Sequence, residues 1–531
     1  VKVCCAMSVK EIESLRLLVK DAAAKNLLPT AAFFCEKIIC LPGKTDEDHY
    51  NLARLYFQQK QFKRALVTLQ KASSNDSPNF RLLAGQCLAE SKEYEQCLSV
   101  LGEEDDTASA SDMMDQNDGI EVSAAMNLLR GKVYDAQQNR VKAAFWYKKS
   151  LQRDYRCYEA FEKLIESHML SSQEQADLLN TLHFKDSEVW LQAMYKSRME
   201  KYDLSVDKPL QLEDCGADVK QSACSIFDSS IDSMTIVAEF YYYHNDFRQC
   251  YNQTKKILQI DPFANCCLAY HLSSLVELKL VRELFIDAHR LVETFPESAE
   301  AWYAVGCYYF LTKKFDQARR FFQKSTSMNN YFAPAWMGYG HTFSAQDESD
   351  PALAAYRTAS RFFSGSHLPP LCIGMEYAKS GNLQVADQFF SHALSICSVD
   401  PLVYNEVGVL RYYQGCYDQA AKAFEKVLEL CQDDESSVWE ATFFNLGHCY
   451  RKMNSFDNAL AMYHKSLRCS PRTASTYTAI GFTHHLKREF DTAITFYHKA
   501  LGISADDALT TEMLERALRE ASYFGSVTPS F

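Results

Sequence analysis

The sequence predicts an all-α solenoid of antiparallel helical hairpins wound into a right-handed superhelix, on three observations. Gly306, Gly340, Gly374 and Gly408 stand 34 residues apart, and after a five-residue slip Gly447 and Gly481 are again 34 apart. Twelve residues after each glycine comes an alanine: Ala318, Ala352, Ala386, Ala420, Ala459 and Ala493. Four further on comes an aromatic: Phe322, Tyr356, Phe390, Phe424, Tyr463 and Tyr497. Generic amphipathic helices repeat about every 3.6 residues but do not hold a second, longer period across six units. A 34-residue period with bulky, small, small and aromatic positions in that order is the tetratricopeptide signature, one helical hairpin per repeat. The small residues are expected where the two helices of a hairpin cross closely, and the aromatic against the following hairpin.

In chain order, Val9 to Leu41 reads as a hairpin. Ile12, Leu15, Val19, Ala22 and Ala23 share one face, Asn26 to Pro29 make the turn, and Ala31 to Ile39 form the second helix. Leu52, Ala53, Tyr56, Ala65 and Leu69 repeat the spacing, and Gly85, Leu88, Cys97 and Leu101 repeat it in weaker form. Gly102 to Gly119 carries seven acidic residues among serines with almost nothing to bury, which predicts an acidic insert. The signature resumes with Leu128, Gly131, Tyr134, Ala143, Tyr147 and Leu151, followed by a divergent unit at Phe161 to Met169 and a helix at Val189 to Met199.

Residues 1–200 are therefore expected to form an N-terminal array, 201–230 an irregular connection around Pro209 and Gly216, and 231–531 a C-terminal superhelix. Ala238, Tyr241, Cys250 and Ile257 start the second array in phase with Gly306. Pro262, Pro296, Pro401 and Pro471 fall between helices, where they end propagation at little cost. The expected total is about 12 hairpins, roughly four before the connection and eight after it, with a single capping helix from Thr510 to Tyr523.

At 531 residues an ordinary globular chain divides into several domains, but a solenoid has no single core to outgrow, so length sets repeat number. The formal net charge is -12, from 68 acidic and 56 basic residues, with no long basic run, which disfavours nucleic acid as a direct partner. The 19 cysteines are an odd number, and many fall within helical periods, as expected of buried free thiols in a reducing compartment. No 18-residue apolar run is present, and Val1 to Glu11 lacks the apolar segment of a secretory signal. No membrane association is expected, and the nucleus and cytoplasm are the expected compartments. The absence of an initiator methionine reads as an incomplete natural N-terminus.

First helices of such repeats line a concave groove. Its predicted inward residues in the second array include Tyr303, Met337, His341, Leu371, Met375, Asn405, Val409, Phe444, Asn445, His448, Arg451 and Phe482. Met337 and Met375 adapt to irregular side chains, and Asn405 and Asn445 offer donors and acceptors to a peptide main chain. Aromatic and methionine side chains of this kind suit a peptide with apolar anchors. They also have a plain packing role, because tight superhelices bury inward aromatics against one another. Gly306, Gly340, Gly374, Gly408, Gly447 and Gly481 are assigned to repeat packing.

Catalysis and cofactors are not expected. Gly338 and Gly340 lack the third glycine of a dinucleotide loop, there is no phosphate-binding GxxxxGK and no HExxH helix. His484 and His485 are adjacent and point to different faces, and no paired CxxC knuckles occur. The sequons at Asn75 and Asn252 matter only in a secreted protein. A clamp for a terminal carboxylate, as in co-chaperones, needs several clustered basic groove residues. Arg451 with nearby histidines makes that a runner-up reading, a tetratricopeptide adaptor that binds peptide termini.

Several non-consensus stretches resemble one family. His367 to Tyr377 (HLPPLCIGMEY), Ala386 to Ile396 (ADQFFSHALSI) and Asp400 to Val409 (DPLVYNEVGV) are similar to central repeats of the cell-division-cycle tetratricopeptide scaffold subunit of the anaphase-promoting complex, or cyclosome. Leu128 to Asp135 (LLRGKVYD) and Ala479 to His485 (AIGFTHH) resemble its early and late pieces. The resemblance implies a non-catalytic subunit of a multisubunit ubiquitin ligase acting at mitosis. It also implies a homodimer formed through the N-terminal repeats and stacking on other tetratricopeptide and scaffold subunits. A small accessory subunit is expected to place its N-terminal segment in the C-terminal superhelix. The acidic insert, the connection and the short C-terminal end depart from the family pattern.

Overall fold

The computed structural model describes residues 9–41, 44–72, 77–102, 119–185, 188–199, 201–202, 230–431 and 437–525. The interior of the predicted acidic insert, most of the 201–230 connection and Asn75 lie outside these residues. Among the described residues all regular structure is helical.

Four hairpins open the chain: α1 and α2 (Val9–Ala24, Leu28–Ile39), α3 and α4 (Asp46–Gln58, Phe62–Gln70), α5 and α6 (Pro78–Glu90, Tyr94–Leu101), α7 and α8 (Val122–Ala136, Arg140–Arg153). Three more helices follow, α9 (Tyr158–Glu166), α10 (Ser172–Thr181) and α11 (Val189–Met199). Eight hairpins then run from residue 231. They are α12 and α13 (Ile231–Tyr243, Phe247–Ile260), α14 and α15 (Leu268–Glu277, Val281–Thr294), α16 and α17 (Ala299–Leu311, Phe315–Met328), and α18 and α19 (Ala333–Ser344, Ser349–Phe362). The remaining four are α20 and α21 (Leu368–Lys379, Leu383–Ile396), α22 and α23 (Pro401–Tyr413, Tyr417–Leu430), α24 and α25 (Glu440–Lys452, Phe456–Cys469), and α26 and α27 (Ala474–Leu486, Phe490–Ile503). A single helix, α28 (Ala508–Gly525), ends the series; it packs on α27.

The described residues divide into two compact units, one within 1–170 with 177–184 and the other within 171–176 and 185–531. In each, a helix packs mainly on its neighbours in sequence, the one-dimensional contact pattern of a solenoid.

The hairpins share one turn. Lys313, Asp347, Gly381, Gly415, Asn454 and Arg488 all take a left-handed backbone, with φ between 59° and 81°. The residue after each closes a bond onto the carbonyl five residues back, as Lys314 N–H does on Tyr309 and Cys416 N–H on Arg411. This geometry satisfies carbonyls left open at a helix end, and it carries the cost of a left-handed residue wherever glycine is absent. A second recurring brace joins the hairpin start to its helix: Trp302 Nε1 donates to Pro296 O and Trp336 Nε1 to Asn330 O.

Between the two helices the signature residues do what their sizes dictate. The six alanines from Ala318 to Ala493 are fully buried, and the six aromatics are no more than 2% exposed. Each aromatic lies on the glycine of its own hairpin: a methyl group built on Gly306 would stand 2.6 Å from Phe322, and one on Gly447 2.6 Å from Tyr463. Phe322 also covers Gly338 of the next hairpin, 2.9 Å from where its Cβ would be. One ring thus locks a hairpin internally and onto its successor. Burying it contributes roughly 2–3 kcal/mol.

Candidate functional site: the first helices of the second array

Counting from seven residues before each repeat glycine, the fifth, ninth and twelfth places of the first helices make one row of side chains. Tyr303 and Leu371 are buried, with Tyr303 hydroxyl 3.1 Å from Ser273 Oγ. Met337, Met375, Asn405, Val409, Phe444, His448 and Phe482 are half-buried, as is Asn445 at the sixth place beside the row, and His341 is exposed.

Two histidines of the row are held alike. His341 Nδ1 lies 2.8 Å from Tyr356 hydroxyl, and His448 Nδ1 2.6 Å from Tyr463 hydroxyl. In each case the signature aromatic of the second helix reaches through to the ninth place of the first. Burial, with the positive charges of Arg451 and Lys452, pushes the His448 pKa down to about 4, so its ring is neutral near pH 7. Crowding by protein also lowers that of His341, although more than a third of its surface is open to solvent; Glu376 opposes the shift and Lys379 adds to it. Phe444 stands edge-on to His448, ring centres 4.3 Å apart. Asn405 bridges hairpins: its carbonyl accepts from Thr442 Oγ1 at 2.9 Å and its amide donates to Glu406 at 3.1 Å. Its remaining amide hydrogen and lone pair are the capacity left for a ligand.

At the start of the row the ninth place is Glu239, which sequence reasoning missed although it lies 68 residues before Cys307, two full periods. The chain just before the connection reaches it. Lys201 Nζ is 3.3 Å and Arg198 Nε 3.6 Å from the Glu239 carboxylate, and Tyr270 hydroxyl donates to it at 2.8 Å. Burial opposes charge on Glu239 and Lys201, but their attraction outweighs it, holding the carboxyl below its usual range and the ammonium above. Tyr202 then stands between Tyr243 at the end of α12 and His367 at the start of α20, with ring centres 4.7 and 4.8 Å away. His367 Nε2 is in turn 2.5 Å from Asp400. Tyr202 therefore joins hairpins four repeats apart.

The arrangement is poor in chemistry. Among the described residues no group of three or more His, Cys, Asp or Glu side chains is placed to hold a metal ion. Thr254, His271 and Asp287 follow one another at 2.8 and 3.2 Å, the order of a nucleophile, base and acid. Thr254 is fully buried, however, and its hydroxyl donates to the Cys250 and Tyr251 carbonyls. The same burial leaves the Asn252 sequon without an accessible threonine. Cys266 is exposed with its thiol lowered to about 6, first by the neighbouring Cys267 and then by Thr235, with no acid–base pair assembled on it. No helix among the described residues is long and apolar enough to cross a membrane.

Three family models match parts of the chain. One described as anaphase-promoting complex, cyclosome, subunit 3 matches residues 24–104, and two tetratricopeptide-repeat models match 299–332 and 399–472. Along its length the chain is similar to Anaphase-promoting complex subunit 6 of Arabidopsis thaliana, 40% identical over 97% of this chain and 98% of the relative. It is 34% identical to the human Cell division cycle protein 16 homolog over 95% of this chain and 83% of the relative. A solved structure described as the APC/C hetero-tetramer Cut9-Hcn1 superposes with a TM-score of 0.76 at 32% identity, covering 97% of each chain.

Proposed function

Because this chain belongs to the anaphase-promoting complex subunit family that includes subunit 6 and the Cell division cycle protein 16 homolog, we propose that it is a scaffold subunit of that complex, without catalysis of its own. The observation that carries this reading is likeness over nearly the whole chain, in sequence and in fold. The surfaces fit the role: two repeat arrays and a row of apolar and hydrogen-bonding side chains, with no nucleophile assembled among the described residues. The second array receives a segment of a small accessory subunit, the part Hcn1 plays in the related assembly, with Met337, Met375, Phe444 and Phe482 as apolar contacts and Asn405 and His448 as polar ones.

Other tetratricopeptide and scaffold subunits stack on the remaining repeat surfaces. The first array supplies a homodimer contact; Leu17, Leu18 and Phe33 are exposed apolar side chains there. The compartments are nucleus and cytoplasm, readable by imaging a tagged chain.

Affinity isolation of the chain from dividing cells tests the proposal. Stoichiometric recovery of the other complex subunits and of a small Hcn1-like chain is expected. Recovery of chaperones alone would turn the assignment to the adaptor reading. Light scattering of the purified full chain should give twice the monomer mass, reduced to the monomer by Leu17→Glu with Phe33→Glu.

A further inference from the structure

One cation near the C-terminal end of the groove row is unbalanced. Arg451, at the twelfth place of α24, is half-buried, its guanidinium 4.8 Å from the Phe482 ring and its Nη2 3.2 Å from His448 Nδ1. Its Nε is closed off from solvent and meets no acceptor, and among the described residues no carboxylate pairs with it. The partner it does have is neutral, because His448 is held uncharged. Tyr412, Tyr463 and Tyr497 are close enough for the charge of Arg451 to act on their hydroxyls.

The next hairpin leaves a second orphan group beside the first. Tyr356 and Tyr463 hydroxyls are met by His341 and His448. The equivalent Tyr497 hydroxyl has no partner, because the ninth place of its hairpin is Phe482 rather than histidine. A crowded guanidinium without counter-charge is costly to hold, whereas the hydrogens of its two Nη atoms match the two oxygens of a carboxylate. Buried donors without acceptors in a native structure call for such an explanation.

We propose that Arg451 receives, through its Nη hydrogens, a carboxylate of the segment bound along the first helices of the second array. This rests on the peptide-groove reading above and adds the chemistry of one contact. The carboxylate belongs to an aspartate or glutamate side chain of that segment.

The full chain is titrated calorimetrically with a synthetic peptide of the N-terminal segment of Hcn1. The peptide is made with its C-terminus amidated, as the continuing chain would be, and with each Asp and Glu changed in turn to its amide. Arg451→Met should weaken binding by about thirtyfold or more, and Arg451→Lys, which keeps the charge without the fork, should recover part of it. The loss should vanish against the one amide-substituted peptide that lacks the bound carboxylate. If Arg451→Met and Arg451→Lys, both melting as wild type does, bind every peptide like wild type, the assignment is wrong. It is equally wrong if the loss is the same against all peptides. Phe444→Ala run in parallel separates the two readings: if it weakens binding while Arg451→Met does not, the carboxylate contact alone falls. If neither affects binding, the groove itself is misplaced.

Discussion

Gly408 and Phe424 share a space that admits no further atom: a methyl group on Gly408 would stand 2.7 Å from the Phe424 ring, closer than packed carbons come. Phe424 is fully buried, so the ring has nowhere to retreat. Gly408→Leu should lower unfolding stability by roughly 1–3 kcal/mol through overpacking. Gly502 is the control, since a methyl there meets nothing within 4 Å. Gly502→Ala on helix α27 should be neutral or stabilising by up to about 1 kcal/mol. Urea midpoints of the two variants measure the contrast, and equal midpoints would remove the crossing.

Lys201 and Glu239 join the chain before the connection to the first hairpin of the second array, and Lys201 is 4% exposed. Lys201→Met leaves Glu239 with Arg198 and Tyr270, so the cost should be about 2 kcal/mol, below that of a wholly unpaired buried charge. Adding Glu239→Gln should cost less than Glu239→Gln does in the wild-type chain, because the Lys201–Glu239 attraction is already lost and only the contacts to Arg198 and Tyr270 remain to be removed. A double variant less stable than the sum of its parts would mean that the carboxylate acts through Arg198 and Tyr270 instead.

The sign of pH dependence follows from His448. Its folded pKa, near 4, lies below that of the unfolded chain, so between these values the unfolded state binds the extra proton. The stability that His448 contributes is present above about pH 6.5 and lost as pH falls toward 4. His448→Asn should therefore lose less stability than wild type between pH 7 and pH 5. Denaturation midpoints at both values provide the comparison, and parallel losses would show that His448 titrates normally.

Most of the scaffold was legible because spacing alone places it. Gly306, Ala318 and Phe322 stand at intervals set by helix pitch and turn length, whatever lies around them. The turn was half legible. Gly381 and Gly415 advertise a left-handed residue, whereas Lys313, Asp347, Asn454 and Arg488 adopt it at a cost that the rest of the hairpin offsets. The first-helix positions were legible as a row, but the contacts each side chain makes were not. Phase assigned Leu371 to the row, yet its side chain is 4% exposed and packs in a core cluster with Phe390 and Val403. The approach of Lys201 to Glu239 spans 38 residues of sequence across the connection, a distance no local periodicity reports. Arg451 was visible as a groove cation, but its want of a counter-ion is a property of all its neighbours at once.

Phe444 tests whether the groove row is where a partner binds. Its ring lies against both His448 and Tyr463, so an apolar side chain wedged there would contact three aromatic groups. Binding to the native state alone stabilises it by about 2.7 kcal/mol at a hundred times the dissociation constant. The melting midpoint of the full chain should therefore climb with the concentration of the Hcn1 N-terminal peptide. Removing a central aromatic contact costs about 2 kcal/mol of binding, roughly thirtyfold. Phe444→Ala should thus need about thirty times more peptide for the same rise. Lys422, on the second helix α23 and 70% exposed, provides the counter-test. Lys422→Ala should leave the curve where it is. A folded Phe444→Ala chain with the wild-type response, alongside a Lys422→Ala chain without it, would move the partner from the first helices to the second.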